Sequence, residues 1–208
     1  MANYTIKNID QLVEKLNSTP ERINKAASKA VNKTTQQIYL ESIEMMMDEV
    51  NLSESYVKKH FKIASRARPN NLRARISATA RGTLLTRYPY LTYKDGVKVR
   101  VNAKGSYRPM KGAFVARNLK GSFATGIAMR NKVAVQFLLK GLYKGRGATA
   151  AKRAKLAKLR VKAEQKPGGL YVPHARSINQ VFTSVREDVT DDAKVMLSDI
   201  FLMEMKSL

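Results

Sequence analysis

The sequence predicts an α+β fold in which a long N-terminal helix and a long C-terminal helix pack on an antiparallel sheet of four to five strands. Three observations lead to this prediction. Helical periodicity dominates both ends of the 208-residue chain, two-residue alternation dominates its centre, and the candidate strands follow one another without intervening helices. Strands grouped in this way are typical of antiparallel sheets, whereas strands alternating with helices would indicate a parallel one.

The first predicted element is a long helix over residues 18–49. The sequence Ser-Thr-Pro-Glu at 18–21 supplies a cap, a proline suited to a first helical turn and the glutamate of a capping box. Apolar residues recur along it at helical spacing, and many are small enough to let a second helix approach closely. Met45 and Met46 give the end of this helix an adaptable apolar surface, which we assign to a subunit interface.

A short helix at about 53–60 is expected next, followed by a change of periodicity. In residues 72–81, apolar side chains alternate with basic or small polar ones, which predicts a half-buried strand with a basic outer face. Residues 90–101 predict a hairpin whose turn is Asp95-Gly96, a pair that tolerates positive φ.

Two more strands are predicted in the centre of the chain. The first is Gly-Ala-Phe-Val-Ala at 112–116. The second lies within 132–141, where Val133, Val135 and Phe137 alternate with smaller or polar residues. Glycine and proline residues separate these segments, as expected for connections between strands.

Residues 143–169 form a strongly basic excursion. Its alanine, lysine, leucine and arginine residues favour a helix, but the cations surround most of the helix circumference, and Leu156 and Leu159 supply little apolar surface. We therefore expect a helix-prone segment that becomes ordered only against something acidic. The last predicted element is a helix over 177–206, which carries the longest apolar stripe in the chain.

These elements predict a single domain over residues 1–208. Its parts are, in order, a helical part at 1–60, a basic β-rich part at 61–142, the excursion at 143–169 and the C-terminal helix at 177–206. No apolar stretch approaches the roughly 20 residues that span a bilayer.

The formal net charge of +23 is concentrated in the middle of the chain. Residues 57–176 carry a net charge of +28, whereas residues 1–56 carry −2 and residues 177–208 carry −3. So large a charge of one sign repels itself. The basic middle therefore predicts an acidic neighbour, which could be the ends of the chain, another subunit or a polyanion.

Ten basic residues are the candidates for binding a polyanion or an acidic partner. They lie on the basic strand face and in the excursion, and for both segments a solvated face or an exposed loop is the alternative interpretation. They are Arg66, Arg68, Arg73, Arg75, Arg81, Lys152, Arg153, Lys155, Lys158 and Arg160. Binding of phosphates by such residues would weaken steeply with salt.

Phe114, Asp191 and Asp192 join the two methionines as candidate subunit-interface residues. Phe114 either plugs a neighbouring subunit or is an ordinary core phenylalanine. The side chains of Asp191 and Asp192 diverge on a helix, so they suit solvation or an intersubunit ion pair better than paired-carboxylate chemistry.

The sequence offers no marked constellation for catalysis. The absence of cysteine excludes disulfides and thiolate chemistry. His60 and His174 are isolated, and no metal-binding or phosphate-loop spacing is present. We therefore expect no enzyme activity, no metal site and no cofactor.

Four segments together carry a family resemblance. They are the Ala-Val-Asn-Lys-Thr of residues 30–34 in the first helix, the basic helix-to-strand passage at 57–75, the Pro-Met-Lys-Gly-Ala-Phe of 109–114, and the extended Tyr-Val-Pro of 171–173 before the last helix. With these segments in this order, the chain resembles the minor tail protein Z family of long-tailed bacteriophages over most of its length.

The resemblance implies a structural virion protein that acts late in tail assembly, where the tail meets the head. We expect a tail-completion or head–tail joining subunit in a sixfold homo-oligomeric ring at the neck, assembled in the host cytoplasm. Its partners would be other tail or head-connector proteins and the genomic DNA in the channel, and not a membrane. The alternative is a free nucleic-acid-binding basic protein, which the charge permits but which no standard binding motif supports.

Overall fold

A computed structural model describes residues 9–117, 125–144 and 149–207 of the chain. Within those ranges, the structure describes only the backbone of residues 9–19, 140–144, 151–152 and 190–192.

The chain forms two compact units, and each is assembled from separated stretches of sequence. Unit 1 comprises Met1–Met46, Ser55–Thr79 and Asn179–Leu208, and unit 2 comprises Met47–Glu54 and Ala80–Ile178. The sequence analysis divided the chain into four consecutive parts of a single domain. That single domain stays a prediction.

Helices lie at both ends of the described chain, and short strands lie mainly between them. The helices are α1 (Ile9–Glu49), α2 (Glu54–His60), α3 (Asn131–Lys144), α4 (Ala150–Gln165) and α5 (Ile178–Lys206). The strands are β1 (Phe61–Ser65), β2 (Arg75–Ala78), β3 (Thr83–Leu84), β4 (Tyr90–Tyr93), β5 (Gly96–Val99), β6 (Arg108–Lys111), β7 (Ala113–Ala116), β8 (Gly126–Arg130), β9 (Leu170–Tyr171) and β10 (His174–Ala175). Within the part of the chain described, no helix has the length and apolar character needed to cross a bilayer.

Unit 1 is built from α1, α2, the β1–β2 hairpin and α5. The two strands are antiparallel, with Phe61 opposite Ala78. The Phe61 ring is fully buried, stacked on Tyr39 of α1 at a centroid distance of 5.3 Å and tilted against Phe182 of α5 at 4.8 Å. One aromatic cluster therefore ties the hairpin to both long helices.

Unit 2 contains three antiparallel sheets and the helices α3 and α4. The sheets have the strand orders β4-β5-β6, β7-β8-β9 and β10-β3. The predicted hairpin at 90–101 is confirmed, but its turn is not Asp95-Gly96: Tyr93 pairs with Gly96, so Lys94 and Asp95 form the turn and Gly96 begins β5. Val97 and Val99 are buried as their alternation predicts.

The predicted sheet of four to five strands is wrong. Among the described residues the strands form separate antiparallel sheets of two or three strands. The strands are short, and the chain leaves one sheet for the next at Gly112, between β6 and β7. Gly112 has a φ of 72°, a left-handed conformation that turns the chain and that residues with a side chain rarely adopt.

The strand predicted within 132–141 is also wrong, because this segment lies in α3. Ala134 is fully buried, and Asn131, three residues earlier, is buried with it, which is helical spacing. The alternation of Val133, Val135 and Phe137 does not separate a buried face from an exposed one, since all three are half-buried. A short apolar run supports either structure, and packing decides which one forms.

Two helix predictions are corrected in their details. Helix α1 begins at Ile9, so Pro20 lies inside it and not in its first turn. Helix α4 packs against α3 within the chain, and Leu156 and Leu159 are its buried side chains, so the basic excursion has an ordered helix without an acidic partner. The predictions of α2 and of α5 over 177–206 are confirmed to within one residue.

Candidate interaction surfaces

Four of the predicted arginines lie on the hairpin of unit 1, here called the arginine hairpin (residues 61–78). Arg66 and Arg68 follow β1, Arg73 precedes β2 and Arg75 begins it, and all four side chains are exposed. Arg68 and Asn71 exchange two backbone hydrogen bonds of 2.9 and 2.8 Å, which close the tip. The arginine hairpin therefore presents a row of cations to solvent.

The arginine hairpin is held against α1 by one side-chain amide. Nδ2 of Asn32 donates to the Ala67 carbonyl at 3.0 Å, and Oδ1 of Asn32 accepts from the Ala67 N–H at 2.8 Å. Arg66 donates to Oε1 of Gln36 at 3.2 Å. Because the amide satisfies both polar groups of a buried backbone residue, it fixes the base of the loop as a neighbouring strand would.

Helix α1 is also joined to α5 by charge. The buried carboxylate of Glu204 accepts a hydrogen bond from Nζ of Lys33 and lies 3.5 Å from Nζ of Lys29. The Lys33 hydrogen bond lowers the pKa of Glu204 below its usual 4.5, against burial, which raises it, and the charges of Lys33 and Lys29 lower it further. The segment 30–34 thus contributes a contact to the hairpin and another to α5.

Replacing Glu204 by glutamine is expected to destabilise unit 1 at neutral pH, because the folded carboxylate has a lowered pKa. Stability from such a group is present above the unfolded pKa and is lost as pH falls through the folded one. The gap in unfolding temperature between wild type and Glu204→Gln should therefore shrink below pH 4.5. Circular dichroism melts measure it, with Glu187→Gln, at an exposed position of α5, as control. An unchanged gap at low pH would show that Glu204 acts only through packing.

Helix α4 places the other predicted cations on the surface of unit 2. Its exposed basic side chains are those of Arg153, Lys155, Lys158, Arg160 and Lys162. The side chain of Lys152 is outside the described residues. Nζ of Lys155 lies 5.8 Å from the ring centroid of Tyr171. Where side chains are described, no ion pair joins any of these five cations to a carboxylate.

The turn that follows α4 is fixed to the start of α3. The Gly169 carbonyl accepts from the Asn131 N–H at 2.8 Å, and Nδ2 of Asn131 donates to the Lys166 carbonyl at 3.0 Å. The Arg130 guanidinium donates to the Gly168 carbonyl at 2.6 Å. The basic helix is therefore tethered at its C-terminal end as well as by its two leucines, so its cations have a defined placement in unit 2.

The positive charge is unevenly divided between the units. Unit 2 contains 23 basic and 5 acidic residues, a net charge of +18, whereas unit 1 contains 16 and 11, a net charge of +5. Ion pairs within unit 2 join Lys104 to Asp48 at 3.3 Å and Arg176 to Glu49 at 2.6 Å. Five carboxylates cannot neutralise this unit, so most of its charge is left for solvent, counterions or a partner.

Phe114 lies on the surface and not in the core. Its ring is 38% exposed on β7, and the Arg130 guanidinium carbon lies 5.8 Å from the ring centroid. The core interpretation of Phe114 is therefore excluded by its exposure, and the ring is available for contact. Gly112 lies two residues before Phe114, and a Cβ at Gly112 would lie 2.9 Å from Cγ1 of Val133. The close approach of this strand to α3 thus requires glycine.

The remaining predicted residues have differing environments. Arg81 is exposed in unit 2 and so is not on the arginine hairpin. Met45 is half-buried, whereas Met46 is fully buried. Asp191 and Asp192 lie on α5, but their side chains are outside the described residues.

No constellation for metal chemistry is found in the part of the chain that the structure describes. There, no group of three or more histidine, cysteine, aspartate or glutamate residues could hold a metal ion. The geometry supports adhesion through charge and exposed apolar surface.

Sequence reasoning missed the residues that position these surfaces. Asn32 and Glu204 each act on a residue more than thirty positions away, and local periodicity carries no sign of such a contact. For Glu204 one signal was available, since an acid on the apolar side of a long helix predicts a paired carboxylate. For Asn131 the signal was a polar residue two positions before the apolar Val133-Ala134-Val135.

The family model described as prophage minor tail protein Z (GPZ) matches residues 6–137 of the chain. This match includes α1, the arginine hairpin and the strands up to β8, and it ends within α3. No curated protein and no solved structure matches the chain.

Proposed function

Because the chain belongs to the prophage minor tail protein Z family and is therefore a structural protein of a phage tail, we propose that it is the tail-completion subunit at the head-proximal end. In this role it forms a homo-oligomeric ring at the neck, contacts other tail or head-connector proteins, and catalyses no reaction. The family places the protein in the virion.

The observation that supports this proposal is the uncompensated charge of unit 2. A folded unit with a net charge of +18 is self-repelling, and its stability rises when acidic surface or polyanion is brought against it. In a neck ring, both kinds of neighbour are present, since adjacent subunits surround each copy and the genome passes through the channel. The same charge would be a cost in a protein that works alone.

Light scattering coupled to size-exclusion chromatography tests the proposal. The purified chain should elute as a closed oligomer without nucleic acid at low salt, because subunit contacts alone suffice. A monomer that binds duplex DNA with a steep salt dependence would favour the alternative, a free nucleic-acid-binding protein. The exposed cations of α4 are the structural feature that favours this alternative, because they could bind DNA phosphates.

Neutralising α4 should weaken assembly or polyanion binding without unfolding the chain. The change is glutamine at Lys152, Arg153, Lys155, Lys158 and Arg160. Each exposed charge pair lost costs on the order of 0.2–1 kcal/mol, so the loss of five pairs costs about 1 kcal/mol or more and the apparent Kd should rise at least about fivefold.

The matched control removes five exposed cations that are spread over the rest of unit 2. It is glutamine at Lys94, Arg108, Lys111, Arg117 and Lys132. Both variants lose the same formal charge, so a greater loss from the α4 variant locates the effect on the helix. Equal losses would mean that the total charge matters and not its placement. Unfolding of the α4 variant would show that these cations are needed for the fold of unit 2, and it would contradict their assignment to a binding surface.

A further inference from the structure

The second half of α5 exposes an apolar face on unit 1. Residues Val195, Leu202 and Met203 are 64%, 57% and 68% exposed, whereas Val181 and Val189 in the first half of the same helix are buried. Large apolar side chains exposed along more than two helical turns mark a surface that another molecule covers.

Acidic residues share that face. Asp188, Val195, Asp199 and Leu202 follow one another at intervals of seven, four and three residues, which places them on one side of the helix. Asp188 and Asp199 are exposed, and in the described part of the chain neither forms an ion pair. The face therefore combines apolar side chains with unpaired negative charge, and we name residues 188–206 the α5 face.

Helix α4 has the complementary pattern on unit 2. On the side away from its two buried leucines, Val161 is 52% exposed, and Ala150, Ala154 and Ala157 precede it at intervals of four, three and four residues. This spacing forms the seam of a helix pair, and alanines let a second helix approach closely. Cations flank the seam, with Arg153 and Arg160 on one side and Lys158 on the other.

The two faces also match in length. Helix α4 has 16 residues, or roughly 24 Å at 1.5 Å per residue, and the α5 face of 188–206 extends roughly 28 Å. The exposed apolar residues from Val195 to Met203 extend roughly 12 Å, so the apolar seams can meet over about half of α4 while its arginines and lysine reach the aspartates of α5. The chain offers both halves of one interface on different units.

We propose that α4 of one copy packs along the α5 face of a neighbouring copy. This inference rests on the proposed ring and names its subunit contact. The two faces differ, so the contact is head-to-tail, and each copy uses its α4 on one neighbour and its α5 on the other. Contacts of this kind generate a closed ring when the rotation between copies closes. The opposite charges set the register of the two helices.

Charge reversal with rescue tests the contact. One variant carries glutamate at Arg153, Lys158 and Arg160, and the other carries lysine at Asp188 and Asp199. Each alone should be monomeric at concentrations at which the wild-type chain is oligomeric, because like charges then face each other. An equimolar mixture should regain the oligomer, since the acidic α4 of one variant meets the basic α5 of the other.

Glutamate at Lys94, Arg108 and Arg117 is the matched control, with three exposed cations of unit 2 reversed away from α4. It should assemble as the wild type does. Wild-type mass for both interface variants, or a mixture that stays monomeric, would overturn the contact and leave the ring proposal standing. A wild-type chain that is monomeric throughout would overturn both, and would indicate that a different tail component covers the α5 face.

Cysteine crosslinking gives a second measurement that does not alter charge. The natural chain has no cysteine, so single variants are free of competing thiols. Leu202→Cys is mixed with Ala154→Cys, Ala157→Cys or Val161→Cys and oxidised. At least one pair should form a crosslinked dimer, since a disulfide needs Cα atoms within about 7 Å. Leu91→Cys, at an exposed leucine of β4, should form none with Leu202→Cys, and equal yields in every pair would contradict the proposal.

Discussion

Replacing Phe61 by alanine is expected to lower the free energy of unfolding by about 3–5 kcal/mol. Phe61 has no exposed surface and stands between Tyr39 of α1 and Phe182 of α5. Truncation would leave a cavity bounded by three different elements, which cannot all move inward at once. Thermal unfolding followed by circular dichroism measures the change, and the midpoint should fall by roughly 6–20 °C for a chain of this size.

Phe114→Ala is the matched control, because it removes the same atoms from a surface position. Phe114 is 38% exposed and borders Arg130, so the loss should be about 1 kcal/mol or less. Assembly, by contrast, should respond to Phe114 if that ring contacts a partner. Equal destabilisation by the two changes would contradict the assignment of Phe61 to the core of unit 1.

Replacing Gly96 by alanine should destabilise unit 2 by roughly 2–4 kcal/mol. Gly96 opens β5 with a φ of 155°, which side-chain-bearing residues rarely adopt. A Cβ there would also overlap the backbone carbonyl oxygen of Met110 on the adjacent β6. The neighbouring strand would have to separate, so the three-stranded sheet loses pairing in addition to the local strain.

Gly168→Ala provides the comparison for Gly96→Ala. No atom lies within 4 Å of a Cβ built at Gly168. Its effect on the unfolding midpoint should therefore be close to zero, or slightly stabilising, because alanine restricts the unfolded chain more than glycine does. A midpoint for Gly96→Ala as high as that of Gly168→Ala would mean that β5 and β6 adjust without loss, and the argument from close approach would fail.

Local patterns determined the elements that depend on neighbours in sequence. The hairpin at 90–101 formed where it was predicted, with its turn one residue earlier at Lys94-Asp95, because the turn and the alternating valines act within a dozen residues. Helix α5 formed as predicted because its apolar stripe extends through eight turns. The long α1 started earlier than its capping signal, since Pro20 removes one backbone donor but does not prevent the helix from continuing towards Ile9.

The other predictions that failed depended on contacts distant in sequence. The segment 132–141, with apolar residues at 133–135 and 137–139, is compatible with a strand or a helix, and its packing against α4 selects the helix. The number of strands in each sheet depended on where the chain changes sheet, at Gly112. Likewise the sequence could not predict which phenylalanine is the more buried: Phe61 lies in the core, whereas Phe114 lies on the surface.

The sequence by itself determined the identity of the terminal helices, the basic character of the centre and the resemblance to a tail protein family, because composition and periodicity are properties of adjacent residues. Tertiary structure alone decided which cations remain unpaired, which half of α5 is covered and how Asn32 and Glu204 join distant elements. Those outcomes depend on burial, and burial is set by the sum of long-range contacts that no local window contains.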